Sequence, residues 1–399
     1  MKKRTLASLC GISWLVLSLV LSLFTMPAFA KEWKTPKAFK IGFNFAYTGP
    51  AASYTAMYKE GYDLAIEEIN ANGGIDGIKL VGIEEDDQMK PELAVSVCEK
   101  FVSVDKTHCD FGMGTALLLA VAPLATHYKH VILNACSIGP ELLGCSPYMF
   151  HIPPNGIFEA QAVANYMYRD LGYRTVATFN TTDAYGVAIT KSFVKFWKGL
   201  GGRIVGAETY PGYGTMSFIS QWQKLKVTNA DAIFLAGAGA DQGRLCKQWG
   251  EVAVNIPICS VSAFENPEVL TVGRGHSEGI IYAGRFFPID SPQCRTFLKA
   301  YEVKYGKTRP NVYTAMTYDG VYTFAKAVEL AKDNGWGYSG EAIRKAFLEL
   351  DFEGASGPVR FSPKDGACTR PVAIKIVKDA KFQMLGGYDL EKKKLIPIK

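Results

Sequence analysis

Short, largely apolar runs alternating with segments of helical period constrain this chain more than any other feature. Lys40-Ile41-Gly42-Phe43-Asn44-Phe45, Leu80-Val81-Gly82-Ile83, Val131-Ile132-Leu133 and the stretches 175–179, 203–207 and 232–235 each read as a strand. After the first of them, Met57, Gly61, Leu64, Ala65 and Ile69 recur at the spacing of one helix face, and Gly73-Gly74 closes that helix. Pro91 opens a helix over 91–104, at a position where its missing N–H was unpaired anyway. Further helical patterns cover 184–200, 217–227 and 242–252. Strands that read as continuous apolar runs are buried on both faces, as parallel sheets covered by helices are. The expected fold class is α/β, built as two doubly wound parallel-sheet halves. A length of 399 residues suits two domains.

The first thirty residues read as an address. Met1-Lys2-Lys3-Arg4 is basic, an apolar stretch runs from Ile12 to Phe24, and Ala28-Phe29-Ala30 offers small residues for cleavage. Three serines within the apolar stretch, and Pro27 beyond it, argue against a retained membrane anchor. The expectation is a signal peptide over 1–30 and export. Without Lys2, Lys3 and Arg4 the formal charge falls from +6 to +3, too small to imply nucleic acid as a partner.

Cys10 belongs to that leader. Eight cysteines remain, at 98, 109, 136, 145, 246, 259, 294 and 368, an even number that favours disulfides in an exported chain. Closeness in sequence favours Cys98–Cys109, Cys136–Cys145 and Cys246–Cys259, leaving Cys294–Cys368. The competing reading is a set of free buried thiols. No C-x-x-C occurs and the five histidines are scattered, so a zinc site is not expected.

Catalytic and cofactor signatures are equally thin. Gly237-Ala238-Gly239-Ala240-Asp241-Gln242-Gly243 follows an apolar strand, but its third glycine falls one position late for a dinucleotide site. The chain has no G-x-S-x-G elbow and no H-E-x-x-H. The expected molecule is a two-domain binder without a cofactor and not an enzyme.

At this point the chain resembles the type I periplasmic solute-binding proteins of ABC importers, in particular the leucine/isoleucine/valine-binding family. The markers are Thr48-Gly49-Pro50-Ala51-Ala52-Ser53-Tyr54, Glu67-Glu68-Ile69-Asn70-Ala71-Asn72-Gly73-Gly74-Ile75, Glu85-Asp86-Asp87, Ala120-Val121-Ala122-Pro123-Leu124 and Pro140-Glu141-Leu142. Asp183-Ala184-Tyr185-Gly186 and Thr317-Tyr318-Asp319-Gly320-Val321 continue the series. Their order and spacing carry the resemblance across nearly all of the mature chain. It implies two lobes joined by a three-crossing hinge, 38–156 plus 286–365 and 157–285 plus 366–399. A small organic ligand (a branched-chain amino acid, an amide or a small or aromatic carboxylate) would be trapped between them. The protein would be a periplasmic monomer that delivers its ligand to a membrane permease. A ligand-sensing receptor component on the same fold would look alike in sequence.

The resemblance also implies a site. Thr115 matches a hydroxyl at a helix start aimed at a carboxylate, with an N-cap role as the plainer alternative. Cys136 and Ser137 match a second contact turn, and Tyr54 and Tyr185 match aromatic walls, one from each lobe. Gly239 falls where the family often has an aromatic. Ser262 falls where amino-acid binders place a carboxylate for the ligand's ammonium. Glu265, three residues on, would replace it if the loop is shifted and is otherwise a surface acid. Asp183 and Asp241 are fallback acids. With Ser262 at the acid position, a small carboxylate or amide with an apolar or aromatic body is favoured over a zwitterion.

Overall fold

A computed structural model of the chain describes residues 33–49, 51–237, 239–306 and 310–397. The expected leader over 1–30 lies outside the described residues. The chain separates into units 1–35 and 36–399, and everything below concerns the second.

Among its described residues the strands are β1 (Phe39–Phe45), β2 (Leu80–Asp86), β3 (Cys109–Gly112), β4 (Val131–Asn134), β5 (Met149–His151), β6 (Thr175–Thr181), β7 (Arg203–Tyr210), β8 (Ala232–Ala236), β9 (Ile258–Ser260), β10 (Ile281–Arg285), β11 (Asp351–Gly354), β12 (Gly357–Arg360), β13 (Val372–Lys378), β14 (Lys381–Asp389) and β15 (Lys394–Pro397). Five of them form a parallel sheet in the order β2-β1-β3-β4-β5. Eight form a second sheet, β15-β14-β13-β10-β9-β8-β6-β7. Its segment β7-β6-β8-β9-β10 repeats the order of the first sheet and is parallel throughout. In that order the direction of winding reverses beside the first strand of each sheet, the place where such folds open a crevice at the strands' carboxyl ends. The chain passes from the first sheet to the second after β5, leaves the second after β10 for the separate β11–β12 hairpin, and returns to it after β12.

The apolar runs expected as strands at β4 and β8 have every residue buried, and so has β3, which the sequence did not mark as a strand. Alternate residues of β6 and β8 serve different cores. Val176 and Phe234 face one with Phe193 and Trp197, while Ala177, Phe179, Ile233 and Leu235 face the other with Trp222. A strand carrying two cores cannot have a polar face, which is why period-two alternation is missing from the sequence.

Three expectations need correction. The second sheet is mixed rather than parallel, because β13, β14 and β15 add to β10 antiparallel. The turn Asp379-Ala380 has positive φ at both residues, 55° and 51°. That two-residue geometry matches the strand twist of a hairpin, and a hairpin can only pair antiparallel. The helix expected over 91–104 ends as an α-helix at Lys100 and continues as a π-turn over Phe101–Asp105, stopped by Lys106 in the left-handed region.

The third correction is that all eight cysteines of the described residues are free thiols, so none of the four expected disulfides is formed. Their sulfurs have other neighbours. Cys136 Sγ donates to the Gly112 carbonyl at 3.6 Å, Cys368 Sγ to that of Pro358 at 3.3 Å, and Cys145 Sγ lies 3.4 Å from Met149 Sδ. Burial pushes the Cys98 and Cys136 thiols up to about 12, so they pack as small neutral hydrophobes.

The helix Ala52–Ala71 packs along the helix Val312–Asp333 at a contact that only glycine permits. A Cβ at Gly61 would overlap the Thr314 carbonyl, which is backbone and cannot swing away. Alanine stabilises a free helix by about 1 kcal/mol over glycine. Here Gly61→Ala is expected to destabilise the protein by about 1–3 kcal/mol through overpacking. Urea unfolding midpoints measure the sign, and a stabilised variant would show that the two helices are not in this contact.

Candidate functional site

The loops at the carboxyl ends of the first sheet converge on one point. After β3, Gly114 turns the chain at φ +85°, in the left-handed region that disfavours any Cβ, and the helix Thr115–Tyr128 begins. Its first hydrogen bond within the helix runs from Leu118 N to Gly114 O at 2.9 Å. The amides of Thr115, Ala116 and Leu117 precede it and have no acceptor among the described residues, as helix geometry dictates. All three residues line a cavity of about 210 Å³.

The loop after β4 is built by one side chain. Asn134 is fully buried; its Oδ1 accepts from Cys136 N at 3.1 Å and Ser137 N at 2.7 Å, and its Nδ2 donates to Ser137 O at 2.7 Å. This Asx-type closure points Ser137 Oγ at Gly114 N, 2.7 Å away, and so locks the two loops together. The Ser137 amide is therefore spent on structure, while its hydroxyl accepts from Gly114 and keeps its O–H to donate.

The opposite wall comes from the second sheet and from the crossings. Tyr185 starts the helix Ala184–Gly199, capped by Asp183, whose Oδ1 accepts from Gly186 N at 2.8 Å and Thr181 Oγ1 at 2.7 Å. Ser262 and Ala263 follow β9, Arg285 ends β10, and Tyr313 starts the helix Val312–Asp333. Tyr54, Tyr58, Tyr185, Tyr213 and Tyr313 all line the cavity. Tyr54 OH donates to Ala263 O at 2.7 Å and Tyr313 OH to Ser262 O at 2.7 Å, so both rings are anchored across the cleft. Burial pushes the Tyr54 phenol up to about 12.

Of the residues expected from sequence, Tyr54, Thr115, Cys136, Ser137, Tyr185 and Ser262 line this one cavity, and so does the fallback acid Asp183. Gly239 and Glu265 do not. The Gly239 amide instead faces the Tyr54 hydroxyl. Glu265 is neither a surface acid nor a cavity acid: it is buried and holds Lys375 Nζ at 2.7 Å. Asp241, the other fallback acid, is paired with Arg244 away from the cavity.

Sequence reasoning missed Tyr213, Arg285 and Glu159. Arg285 is 2 % exposed and lines the cavity; its Nη2 donates to Cys136 O, and its guanidinium lies 4.1 Å from the centre of the Tyr313 ring. A lone arginine closing the strand Ile281-Tyr282-Ala283-Gly284-Arg285 was the available signal, since strand carboxyl ends are where these folds place ligand contacts. Glu159 is fully buried behind Ser262, accepting from its amide at 2.9 Å through Oε2. Among the described residues no group of three or more His, Cys, Asp and Glu could hold a metal ion.

Residues 38–381 match the periplasmic binding protein family. The chain belongs to that family. It is 23% identical over 354 residues to the leucine-, isoleucine-, valine-, threonine- and alanine-binding protein of Pseudomonas aeruginosa, covering 87% of this chain and 92% of that one. Its fold is that of a leucine-binding protein from Thermotoga maritima, with a TM-score of 0.82 at 22% identity over 89% of this chain and 100% of the other. It is equally that of an ABC-transporter solute-binding protein from Rhodopseudomonas palustris in complex with 3,4-dihydroxybenzoic acid, with a TM-score of 0.80 at 22% identity, covering 89% and 98%.

Glu159 supplies the testable electrostatics of this binding-protein cleft. Desolvation pushes its carboxyl from 4.5 up to about 7, with Arg285 pulling the other way. Between those values the folded protein holds a proton that the unfolded chain has released, so stability falls as pH rises through the window. The loss approaches about 3 kcal/mol at its upper end. Urea unfolding from pH 4.5 to 7 is expected to show wild type losing stability relative to Glu159→Gln. Parallel pH profiles for the two proteins would refute the raised carboxyl.

Proposed function

We propose that this periplasmic binding protein is the extracytoplasmic solute receptor of an ABC importer, exported by a cleaved leader over 1–30. Two lobes, 38–156 plus 286–365 and 157–285 plus 366–399, close as a monomer over one small organic ligand and present it to a membrane permease. The observation that carries this reading is the cavity itself. It is walled by side chains from both sheets, and three unfilled amides at a helix start supply a seat for a ligand carboxylate. The relatives support it: proteins of this fold are named for leucine and its neighbours or hold an aromatic acid. The volume suits such ligands and is far too small for a dinucleotide.

Trapping requires the lobes to separate. Contacts such as Tyr54 to Ala263 form only when the two halves meet, so ligand shifts an open-closed equilibrium toward the closed form. Mature protein stripped of co-purified ligand is expected to contract in small-angle scattering when its ligand is added. Its melting temperature should rise with ligand concentration, by the equivalent of about 2.7 kcal/mol at a hundredfold excess over Kd. A panel of branched-chain amino acids, amides and aromatic acids that moves neither quantity would overturn the proposal.

A further inference from the structure

Accepting that the cavity is a ligand trap, we propose that Arg285 is the counter-charge for the ligand, and that the site selects a net-anionic acid with an apolar or aromatic body over a zwitterionic amino acid. Arg285 is 2 % exposed, yet among the described residues no carboxylate lies within ion-pair distance of it. One of its three nitrogens is engaged, by the Cys136 carbonyl; Nε and Nη1 are buried without an acceptor. The Tyr313 ring covers one face at 4.1 Å, a contact that tolerates the cation without neutralising it. A buried guanidinium with unfilled donors and no anion is unfavourable by itself. The cavity it lines is where the missing anion fits.

The rest of the lining has the same polarity. The unfilled amides of Thr115, Ala116 and Leu117 prefer negative charge, and the dipole of their fourteen-residue helix adds to that preference. The one acid in the lining, Asp183, is half-buried and already caps the Tyr185 helix through Oδ1. Glu159 stands behind Ser262, outside the lining, with Oε2 spent on the Ser262 amide. An ammonium in this cavity would therefore face a cation and helix-start donors, with only the half-buried Asp183 to oppose them. The surrounding tyrosine rings suit a flat or branched apolar body.

Matched ligands separate the charge from the body. Benzoate with benzamide, and 4-methylpentanoate with its amide and with leucine, are titrated calorimetrically into the mature, ligand-stripped protein. The acid of each set is expected to bind about 10- to 100-fold more tightly than its amide, and leucine more weakly than 4-methylpentanoate. Arg285→Gln should lower the acid-to-amide ratio about tenfold, toward the residual preference of the helix-start amides, while Arg285→Lys keeps more of it; ligand-free melting curves report whether each variant folds. A purely structural role for Arg285 would instead weaken acid and amide alike and leave their ratio unchanged, which overturns the assignment. Leucine or an amide binding more tightly than the acid in wild type also overturns it, whatever the variants do, while the trap itself stands. Silence from the whole panel in scattering and calorimetry overturns the trap and the assignment with it.

Discussion

Everything at the cleft depends on satisfying the backbone groups of the loops that follow the strands. Loops at the end of a parallel sheet have no neighbouring strand to bond, so each buried N–H and C=O needs a partner from elsewhere. The protein solves this with side chains that reach across. Tyr54 OH serves the Ala263 carbonyl, Tyr313 OH that of Ser262, and Arg285 that of Cys136. Within the first sheet, Asn134 and Ser137 do the same for their own loop and its neighbour. The bonds that shape the cavity are thus also those that hold its two walls together.

Several other buried charges in the molecule have an opposite charge at ion-pair distance, which Arg285 lacks among the described residues. Asp319 accepts from the amides of Ala355 and Ser356 at 2.7 and 2.8 Å and lies 3.7 Å from Arg370, tying the helix Val312–Asp333 to the β11–β12 hairpin. Lys375 and Glu265 bond at 2.7 Å across β13, and His130 and Asp110 at 2.7 Å beneath β3. None of these pairs lines the cavity. They fix where strands and helices sit, since removing one partner would strand a buried charge at a cost of about 3–5 kcal/mol.

What the sequence revealed and what it hid follow one physical rule. Features that repeat were legible: apolar runs marked β1, β2, β4, β6, β7 and β8 among the parallel strands of the two sheets, and a helical period marked helices between them. Thr115 came from the family resemblance, and it does stand at the start of a helix that lines the cavity. Features decided by a single residue in three dimensions were not. The hairpin at Asp379-Ala380 lacks the Asn-Gly or Asp-Gly pair that announces such turns, so the antiparallel extension of the second sheet went unseen. Cysteine spacing suggested disulfides, yet distance along the chain does not say which way each sulfur faces in a packed core. Tyr213, Glu159 and Arg285 each sit alone in their segments, where no period or motif marks them.

The displaced acid shows why alignment to relatives is least informative where function is decided. Ser262 stands where the resemblance leads one to expect a carboxylate, and Glu265 nearby looks like its replacement. In the folded chain Glu265 belongs to Lys375, and the carboxylate nearest Ser262 comes from Glu159, on a helix about a hundred residues earlier. A carboxylate bonded to the Ser262 backbone amide is behind the cavity wall, where it positions the loop and does not meet the ligand. The group that does meet it at this end is a cation. With the acid one layer behind the wall and Arg285 in the lining, the charge this end of the cavity presents is positive, while the fold stays that of the family.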